Sequence, residues 1–424
     1  MKVLLIGSGG REHSLVWKLN QSDLVSELTC LPGNAGIAEI ANIVPIKAHE
    51  IEKIIKHIIL KQYDFVIIGP EQPLALGIVD KLKDIGIKVF GPTQSAARLE
   101  SSKEFTKKLC SKYNIPTAKY GVFDNLKDAK SYIKKMRAPY VIKADGLASG
   151  KGVVLPETLD GALKELEEIF SGKFGDASSK VLIEEFMEGQ EASFFAISDG
   201  VNILPLIAAQ DHKRAFDGDK GPNTGGMGAY SPTPVFNEEI QKIVMNKIII
   251  PTVEGMAADG TPYVGILFAG LMITNEGPKL IEYNARFGDP ECQVLMRRLN
   301  SDLMDIFLKA EEGNLDAIKE LIWSNKPTVN IVLANNGYPG KYKNGSIIKG
   351  IDKANSKNEI VIFHAGTKYN ENNNICSAGG RVLNVTSQAD TLNKALEKAY
   401  EAIDNDIEWD DGFCRRDIGY QAVC

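Results

Sequence analysis

Two oxygen-bearing side chains and a cation lie at a spacing that suits metal and phosphate chemistry. Residues 280–291 read Leu-Ile-Glu-Tyr-Asn-Ala-Arg-Phe-Gly-Asp-Pro-Glu, and the apolar residues predict a strand that carries Glu282 and Asn284. Side chains two apart on a strand share one face, and Arg286 continues the alternation. Carboxylate and amide oxygens are the hard ligands that Mg²⁺ prefers beside phosphates. The segment therefore predicts a divalent-cation site, with Arg286 placed to meet an anionic oxygen.

A glycine-rich stretch between two lysines could bind phosphate. Within residues 143–152, Lys143 ends one strand, a glycine-rich loop follows, and Lys151 opens the next strand. Glycines leave backbone amides open to phosphate oxygens, and lysines add point charge. The stretch is one residue short of a P-loop, and Gly152 replaces the Ser or Thr that a P-loop needs. A phosphate-binding hairpin is favoured, with an ordinary mobile hairpin as the open alternative.

An apolar strand that ends in paired acids could hold a nucleoside. Residues 181–187, Val-Leu-Ile-Glu-Glu-Phe-Met, contain the paired acids Glu184 and Glu185 and are followed by Glu191. An adenine ring needs an apolar slot, and ribose hydroxyls need an acceptor such as a carboxylate. We assign the three glutamates to nucleotide binding.

Residues 211–228 combine charged side chains with glycine and proline. Such a segment offers little to a packed core, and loops of this kind often carry function. We predict a substrate loop that contains substrate-binding and catalytic residues. Asp211, Asn223 and Thr224 are assigned to substrate binding, and Lys213 and Arg214 to catalysis.

The turn after the first strand, Gly-Ser-Gly-Gly-Arg-Glu at residues 7–12, suggests a dinucleotide site. Glu12 stands where the fingerprint needs its third glycine, and the second strand ends without an acid for the ribose. A phosphate on the amides of Gly9 and Gly10, helped by Arg11, is one interpretation. A tight turn without a ligand is the other, and both stay open.

The elements that must position these residues fall into three units. Over residues 1–101, buried strands alternate with helical patterns, which predicts a doubly wound parallel sheet. Residues 102–324 predict paired antiparallel strands. Strand 140–144 is expected to pair with 152–155, and strand 181–186 with 192–198 and 203–209. A long helix over 238–258 is expected to precede a further hairpin. Residues 325–424 predict a small α/β unit with a hairpin tip at 370–374. The fold class is thus α/β, with an α+β module in the centre.

Composition narrows the class of protein. The chain has 424 residues, 44% hydrophobic and 25% charged, with a formal net charge of -6. This charge argues against a sequence-blind nucleic-acid binder. Six cysteines form no CxxC pair, which is typical of reduced thiols, and no apolar run approaches the length of a membrane span. We expect a cytoplasmic enzyme with no nucleic-acid or membrane partner.

Together these motifs resemble one family. The opening Gly-Ser-Gly-Gly-Arg-Glu-His, Lys-Ala-Asp-Gly-Leu-Ala-Ser-Gly-Lys-Gly from Lys143, Gly-Pro-Asn-Thr-Gly-Gly-Met-Gly from Gly221 and Arg-Phe-Gly-Asp-Pro-Glu-Cys-Gln from Arg286 are similar to the phosphoribosylamine–glycine ligase family of ATP-grasp enzymes. The resemblance spans nearly the whole chain. It implies a doubly wound N-terminal domain, an ATP-grasp module that clamps ATP, and a small C-terminal domain.

The resemblance also implies a reaction and roles for particular residues. ATP would drive the ligation of glycine to 5-phosphoribosylamine through glycyl phosphate, in a protein expected to be a monomer. Lys103 and Lys143 would contact ATP phosphates, and Glu282 and Asn284 would bind Mg²⁺ or Mn²⁺. Many ATP-grasp enzymes add a carboxylate on the preceding strand, but residues 265–274 contain none. Phosphates and water would then complete the metal shell.

Three other functions stay open from the residues themselves. One is a different ATP-grasp carboxylate–amine ligase or carboxylase of purine metabolism, separable by which substrate releases ADP. A second is an NAD-dependent oxidoreductase that uses the first glycine turn. A third is a non-catalytic nucleotide sensor, for which the lysines and the metal pair would be excessive.

Overall fold

A computed structural model describes residues 1–147 and 152–423, apart from the side chain of Asp176. The N-terminal sheet is parallel, with strand order β3-β2-β1-β4-β5. Its strands are β1 (Lys2–Gly7), β2 (Glu27–Pro32), β3 (Asn42–Ile43), β4 (Phe65–Ile68) and β5 (Val89–Phe90). Its helices are α1 (Gly10–Leu19), α2 (Ile51–Lys61), α3 (Glu71–Ala75) and α4 (Ile78–Asp84). This order confirms the doubly wound prediction, and the ligand-binding edge of such a sheet lies beyond β1 and β4.

Two short helices follow where the sequence predicts one helix from about residue 94 to 113. α5 (Arg98–Ser101) ends at Ser102, whose side chain caps α6 (Lys103–Lys112) by accepting from the Phe105 amide at 3.2 Å. A serine at a helix N-cap stabilises the start of the helix in this way. The break directs α6, with its lysines, toward the central module.

The central module contains two separate antiparallel sheets. The first has order β6-β9-β7-β8 and is covered by two helices. Its elements are β6 (Tyr120–Phe123), α7 (Leu126–Ile133), β7 (Tyr140–Ala144), β8 (Val153–Val154), α8 (Leu159–Phe170) and β9 (Val181–Glu185).

The second sheet has order β11-β10-β16-β17. The elements of this part of the chain are β10 (Gln190–Asp199), β11 (Ile203–Pro205), β12 (Gln210–Asp211), β13 (Arg214–Phe216), β14 (Lys220–Asn223), β15 (Gly228–Ser231), α9 (Glu238–Val244), α10 (Ile250–Ala258), β16 (Val264–Thr274) and β17 (Gly277–Asn284). A π-helical turn, Met245–Ile249, joins α9 to α10, so the predicted long helix is continuous but locally widened. The predicted hairpin of β16 and β17 is confirmed.

The predicted pairing of strand 181–186 with strand 192–198 is wrong. β9 pairs with β6 and β7, whereas β10 pairs with β11 and β16. Nearness in sequence favours a hairpin, but here the four residues between β9 and β10 carry the chain from one sheet to the other. The crossing opens a space between the two sheets.

The C-terminal part forms a sheet with order β12-β15-β18-β22-β19, and β23 pairs with β18. Its later elements are α11 (Glu291–Arg298), α12 (Leu303–Glu311), β18 (Thr328–Asn335), α13 (Ile351–Asn355), β19 (Ile360–His364), β20 (Thr367–Tyr369), β21 (Ile375–Ser377), β22 (Arg381–Gln388), α14 (Leu392–Asn405) and β23 (Gly412–Phe413). The tip between β20 and β21 confirms the predicted hairpin. Two strands of the predicted substrate loop, β12 and β15, join this sheet, so the loop is built against the C-terminal part. Across the part of the chain that the structure covers, no helix combines the length and apolar character of a bilayer span.

Candidate active site

A cavity of about 480 Å³ lies between the two central sheets and reaches the N-terminal unit and the substrate loop. Most of the residues that the sequence singles out line it. They are Arg11, Lys103, Lys143, Glu184, Glu185, Glu191, Asp211, Lys213, Asn223, Thr224, Glu282, Asn284 and Arg286. Residues from six sequence segments thus meet in one space, although the sequence places them as much as 275 positions apart.

Lys143 lies at the end of β7, where its ammonium is held from two sides. Its Nζ lies 2.9 Å from Glu184 Oε2 and donates to the Ile281 carbonyl at 3.3 Å. Burial lowers the pKa of Lys143, but the charges of Glu184 and Glu282 raise it more, so the net shift is upward. The lysine therefore stays charged in a buried place, as phosphate binding requires.

Glu184 is 2% exposed and faces two lysines. Lys107 Nζ lies 3.4 Å from Glu184 Oε1 and donates to Thr117 Oγ1 at 2.7 Å. Burial raises the pKa of Glu184, but Lys143 and Lys107 outweigh burial and lower it. The carboxylate is therefore an anchor for two cations at the cavity wall. The sequence analysis missed Lys107, although its spacing of four from Lys103 places both on one face of α6.

Lys103, at the start of α6, donates from its Nζ to the carbonyl of Gly146 at 3.2 Å. Its backbone amide donates to Asp145 Oδ1 at 2.6 Å, which ties the start of α6 to the glycine-rich stretch. Lys151 lies outside the described residues.

Glu282 and Asn284, both on β17, line the cavity as their alternation predicts. Gly270 lies opposite Glu282 on β16, so the neighbouring strand adds no carboxylate there. Within residues 1–147 and 152–423, no cluster of three or more His, Cys, Asp or Glu side chains suits a metal ion. An acid and an amide fit Mg²⁺ or Mn²⁺ only if phosphates and water supply the other ligands.

Arg286 lies beside the pair, and its charge is balanced by two acids from the N-terminal region. Its Nη2 donates to Glu100 Oε1 at 2.7 Å, and its Nε donates to Glu71 Oε2 at 3.2 Å. It also donates to Asn284 Oδ1 at 3.1 Å. Burial raises the pKa of Glu71, but Arg286 and Arg11 lower it to about 2 overall. Sequence analysis missed both acids, which lie far from Arg286 along the chain.

Lys213 is held by Glu191 Oε2 at 2.5 Å and Asp211 Oδ1 at 3.1 Å. Nearby, Glu291 accepts a hydrogen bond from Ser193 Oγ at 3.2 Å. Burial and the charge of Asp211 raise the pKa of Glu291 to about 7. Glu291 belongs to the quoted motif, but the sequence analysis gave it no role.

Two backbone amides of the turn after β1 already donate to carboxylates. The Gly9 amide donates to Glu12 Oε2 at 2.6 Å, and the Arg11 amide donates to Asp289 Oδ2 at 3.2 Å. An added Cβ at Gly10 would lie 2.4 Å from the Asn384 side chain, so this glycine allows close packing. Gly9 and Gly10 do not line the cavity, and the Gly9 amide, one of the two expected to hold a phosphate, is already bound by Glu12.

Arg214 also lies outside the cavity lining. Its guanidinium donates to the Gly221 carbonyl at 2.8 Å and closes the β13–β14 hairpin. The geometry thus gives Arg214 a structural contact, whereas Lys213 and Arg286, the other two residues expected to act in catalysis, line the cavity.

Family models for the N, ATP-grasp (A) and C domains of phosphoribosylglycinamide synthetase match residues 1–100, 101–292 and 328–421. The chain belongs to the phosphoribosylglycinamide synthetase family. As a member of that family it is an ATP-grasp ligase, and the resemblance seen in its motifs is confirmed.

Relatives of this family match along their whole length. The phosphoribosylamine–glycine ligase of Brucella melitensis is 52% identical over 423 residues, which cover 100% of this chain and 98% of that protein. The one of Escherichia coli O157:H7 is 47% identical over 427 residues, with 100% and 99% covered. The crystal structure of the Thermotoga maritima phosphoribosylamine–glycine ligase superposes with a TM-score of 0.86 at 32% identity, covering 98% of this chain and 100% of that one.

A biotin carboxylase domain of Hydrogenobacter thermophilus 2-oxoglutarate carboxylase, solved with MgADP and bicarbonate, has a TM-score of 0.73 at 15% identity. It covers 96% of this chain and 90% of that chain, and it shares the fold alone.

Proposed function

We propose that this ligase makes glycinamide ribonucleotide in two chemical steps, with glycyl phosphate between them. The overall reaction joins glycine to 5-phosphoribosylamine in purine biosynthesis and converts ATP to ADP and phosphate, as family membership and the full-length relatives support. A carboxylate resists attack by an amine because oxide is a poor leaving group. Phosphorylation of the glycine carboxylate by ATP supplies a good one, and the amine then displaces phosphate.

One observation carries this proposal: two lysines, Lys103 and Lys143, and an acid–amide pair on β17 line a single cavity. Lys103 and Lys143 would contact the phosphates of ATP, while Glu185 and Glu191 would meet its nucleoside. Glu282 and Asn284 would hold Mg²⁺ or Mn²⁺, which supplies positive charge where two anions must approach. Fixed charges of this kind need no reorganisation during the reaction, so positioning and electrostatics account for catalysis.

The remaining predicted residues surround the opposite side of the cavity. Arg11 and Arg286 would face anionic groups of glycine or the sugar phosphate. Lys213, Asp211 and the Asn223–Thr224 pair would orient the substrates. Because carboxylates already pair with Lys213 and Arg286, these cations are held in fixed positions before a substrate arrives.

The intermediate can be tested with glycine labelled by ¹⁸O in both carboxylate oxygens. Phosphorylation of the carboxylate moves one labelled oxygen into the inorganic phosphate, because the acyl C–O bond breaks in the second step. We expect one ¹⁸O per phosphate with wild-type enzyme, ATP and 5-phosphoribosylamine generated in the assay. Phosphate without label would exclude glycyl phosphate.

A second assay tests the substrates themselves. ADP release is measured with glycine, with 5-phosphoribosylamine and with both, and rapid release is expected only with both. Release that depends on another carboxylate or amine would favour a different ATP-grasp ligase of purine metabolism.

Three coarser proposals accompany the reaction. The units are taken as residues 1–101, 102–324 and 325–424, the enzyme as a monomer and its location as cytoplasmic. Sedimentation of the purified protein tests whether the enzyme is a monomer, and the mass of a dimer would contradict this proposal.

A further inference from the structure

The substrate loop contains a hairpin whose base faces the cavity and whose tip lies away from it. The base is formed by Lys213, Asn223 and Thr224, which line the cavity. The Lys213 carbonyl accepts from both the amide and the hydroxyl of Thr224 at 2.8 Å, so the two sides of the base move together. β13 and β14 extend from this base to a tip at residues 217–219.

Arg415, some 200 residues later in the chain, is fully buried against this hairpin. Its Nη1 donates to Asp219 Oδ1 at 2.8 Å and to the Arg214 carbonyl at 3.2 Å. Its Nε and Nη2 form a two-pronged contact with Asp417, 2.8 Å for each prong. A planar guanidinium held at both ends has little freedom, so Arg415 fixes both the tip and one strand of the hairpin.

The neighbours of Arg415 grip the same tip. Asp417 Oδ2 accepts from the Gly218 amide at 2.7 Å, and the Arg416 amide donates to Asp217 Oδ1 at 2.8 Å. Tyr420 donates from its hydroxyl to Asp219 Oδ2 at 2.6 Å. These contacts reach every residue of the tip.

The same segment, residues 415–421, also holds the chain before the hairpin. The Gly419 amide donates to Nε2 of His212 at 2.9 Å, and Gln210 donates to Gln421 Oε1 at 2.7 Å. His212 directly precedes Lys213. The hairpin is therefore fixed at its entrance, along one strand and at its tip, all by one short segment.

We propose that Arg415 is a positioning residue for the ligase reaction: with residues 415–421 it holds the hairpin so that Lys213, Asn223 and Thr224 present their side chains to the substrates. The assignment of those three residues to substrate binding rests on the proposed function. Arg415 itself lies outside the cavity lining and touches no substrate.

The test compares Arg415→Met and Arg415→Lys with a matched control, Arg416→Met. The Arg416 side chain pairs with Asp404 and not with the hairpin, so its loss leaves the contacts between residues 415–421 and the hairpin in place. We expect Arg415→Met to lower kcat/KM for glycine or 5-phosphoribosylamine by roughly 10-fold to 100-fold, since a displacement of about 1 Å near reacting groups can cost about 10²-fold. KM for ATP should change less than the other two KM values, because Lys103 on α6 and Lys143 on β7 have no contact with the hairpin. Arg415→Lys should recover part of the loss, and Arg416→Met should match wild type.

A second variant covers the case in which Arg415→Met does not fold. Asp219→Asn removes the negative charge that faces Arg415 and one of the two acceptor oxygens of the tip, at a half-exposed site, and should reproduce the kinetic change. Hydrogen exchange at amides 214–223 should speed up in both variants, while amides of β18 keep their protection. Wild-type kinetics in Asp219→Asn, or an equal rise in all three KM values without local exchange, would overturn the proposal.

The failure of the proposal and the failure of the loop assignment give different results. If Lys213→Met loses activity but Arg415→Met and Asp219→Asn do not, the positioning role is refuted while the loop assignment stands. If Lys213→Met and Thr224→Val both keep wild-type activity, the assigned roles of the loop residues fail, whatever Arg415 does.

Discussion

Replacing Glu184 by Gln should destabilise the central module strongly, because it leaves two buried ammonium groups without a counter-ion. The side chains of Lys107, Lys143 and Glu184 are 3%, 4% and 2% exposed. Each lysine lies beside a different carboxylate oxygen, at 3.4 and 2.9 Å. A glutamine has the same shape but only one acceptor, so either orientation turns its NH₂ group toward an ammonium.

The expected cost follows from the burial of the group. Removing one partner of a buried ion pair typically costs about 3–5 kcal/mol, because a charge remains unpaired in a place with little water. For a unit of about 200 residues, 1 kcal/mol shifts the melting temperature by about 2–4 °C. We therefore expect the first unfolding transition of Glu184→Gln to fall by roughly 6–20 °C.

Scanning calorimetry or a fluorescence melt measures this shift. The control is Glu276→Gln, which removes an ion pair with Lys279 at 2.7 Å in a place where the glutamate is largely exposed. Surface pairs contribute little, so this variant should melt close to wild type. A double variant, Lys107→Met with Glu184→Gln, should recover part of the loss, because only one ammonium then faces the amide.

Two results would refute this reasoning. One is a Glu184→Gln melt within about 2 °C of the Glu276→Gln control, which would mean that water or relaxation compensates the lysines. The other is a double variant that melts lower than Glu184→Gln, which would show that Lys107 stabilises the site by packing rather than by charge.

Three further outcomes are expected. Glu282→Ala should abolish glycine-dependent ADP formation with an unchanged circular dichroism spectrum, and full activity would remove the metal assignment. Gly288→Ala should lower the rate of ADP release at saturating substrates, since the new Cβ would lie 2.3 Å from Glu291 Oε2 and displace that carboxylate from the cavity wall; wild-type turnover would contradict this. The stability cost of His364→Asn should shrink as the pH falls from about 6.5 to about 4, because burial lowers the pKa of native His364 to about 4 and only the unfolded chain then takes up the proton. Denaturant titrations of both proteins across this range measure the effect, and a constant difference would contradict it.

Local patterns are sufficient to predict much of the fold. β1 and β4 are short apolar runs followed by glycine, and such runs form buried strands when helical patterns separate them. The β16–β17 hairpin follows from two apolar runs joined by a short turn. What local patterns do not contain is the partner of a strand, which is why the pairing of β9 and β10 was predicted wrongly.

Local patterns also predict some residues of the site and not others. Glu282, Asn284 and Lys143 were predictable because strand alternation or a flanking glycine stretch gives each of them a direction. The role of Arg415 could not be predicted, because it depends on contacts with a hairpin some 200 positions earlier in the chain. The helix start after β1 suggests that the Gly9 amide binds phosphate. Only the structure shows that this amide donates to the Glu12 carboxylate instead.

The balance of charge is the part of the site that motif analysis could not supply. The motifs predict cations such as Lys143 and Arg286 at a phosphate site, and the family resemblance adds Lys103. In the described lining of the cavity, however, carboxylates outnumber lysines and arginines. Acids such as Glu71 and Glu100 come from other elements and fix the cations in place while cancelling their charge at a distance. Such a balance would attract free ATP weakly. In the proposed reaction, a divalent cation held by the acid–amide pair on β17 would supply the positive charge that the paired lysines and arginines do not.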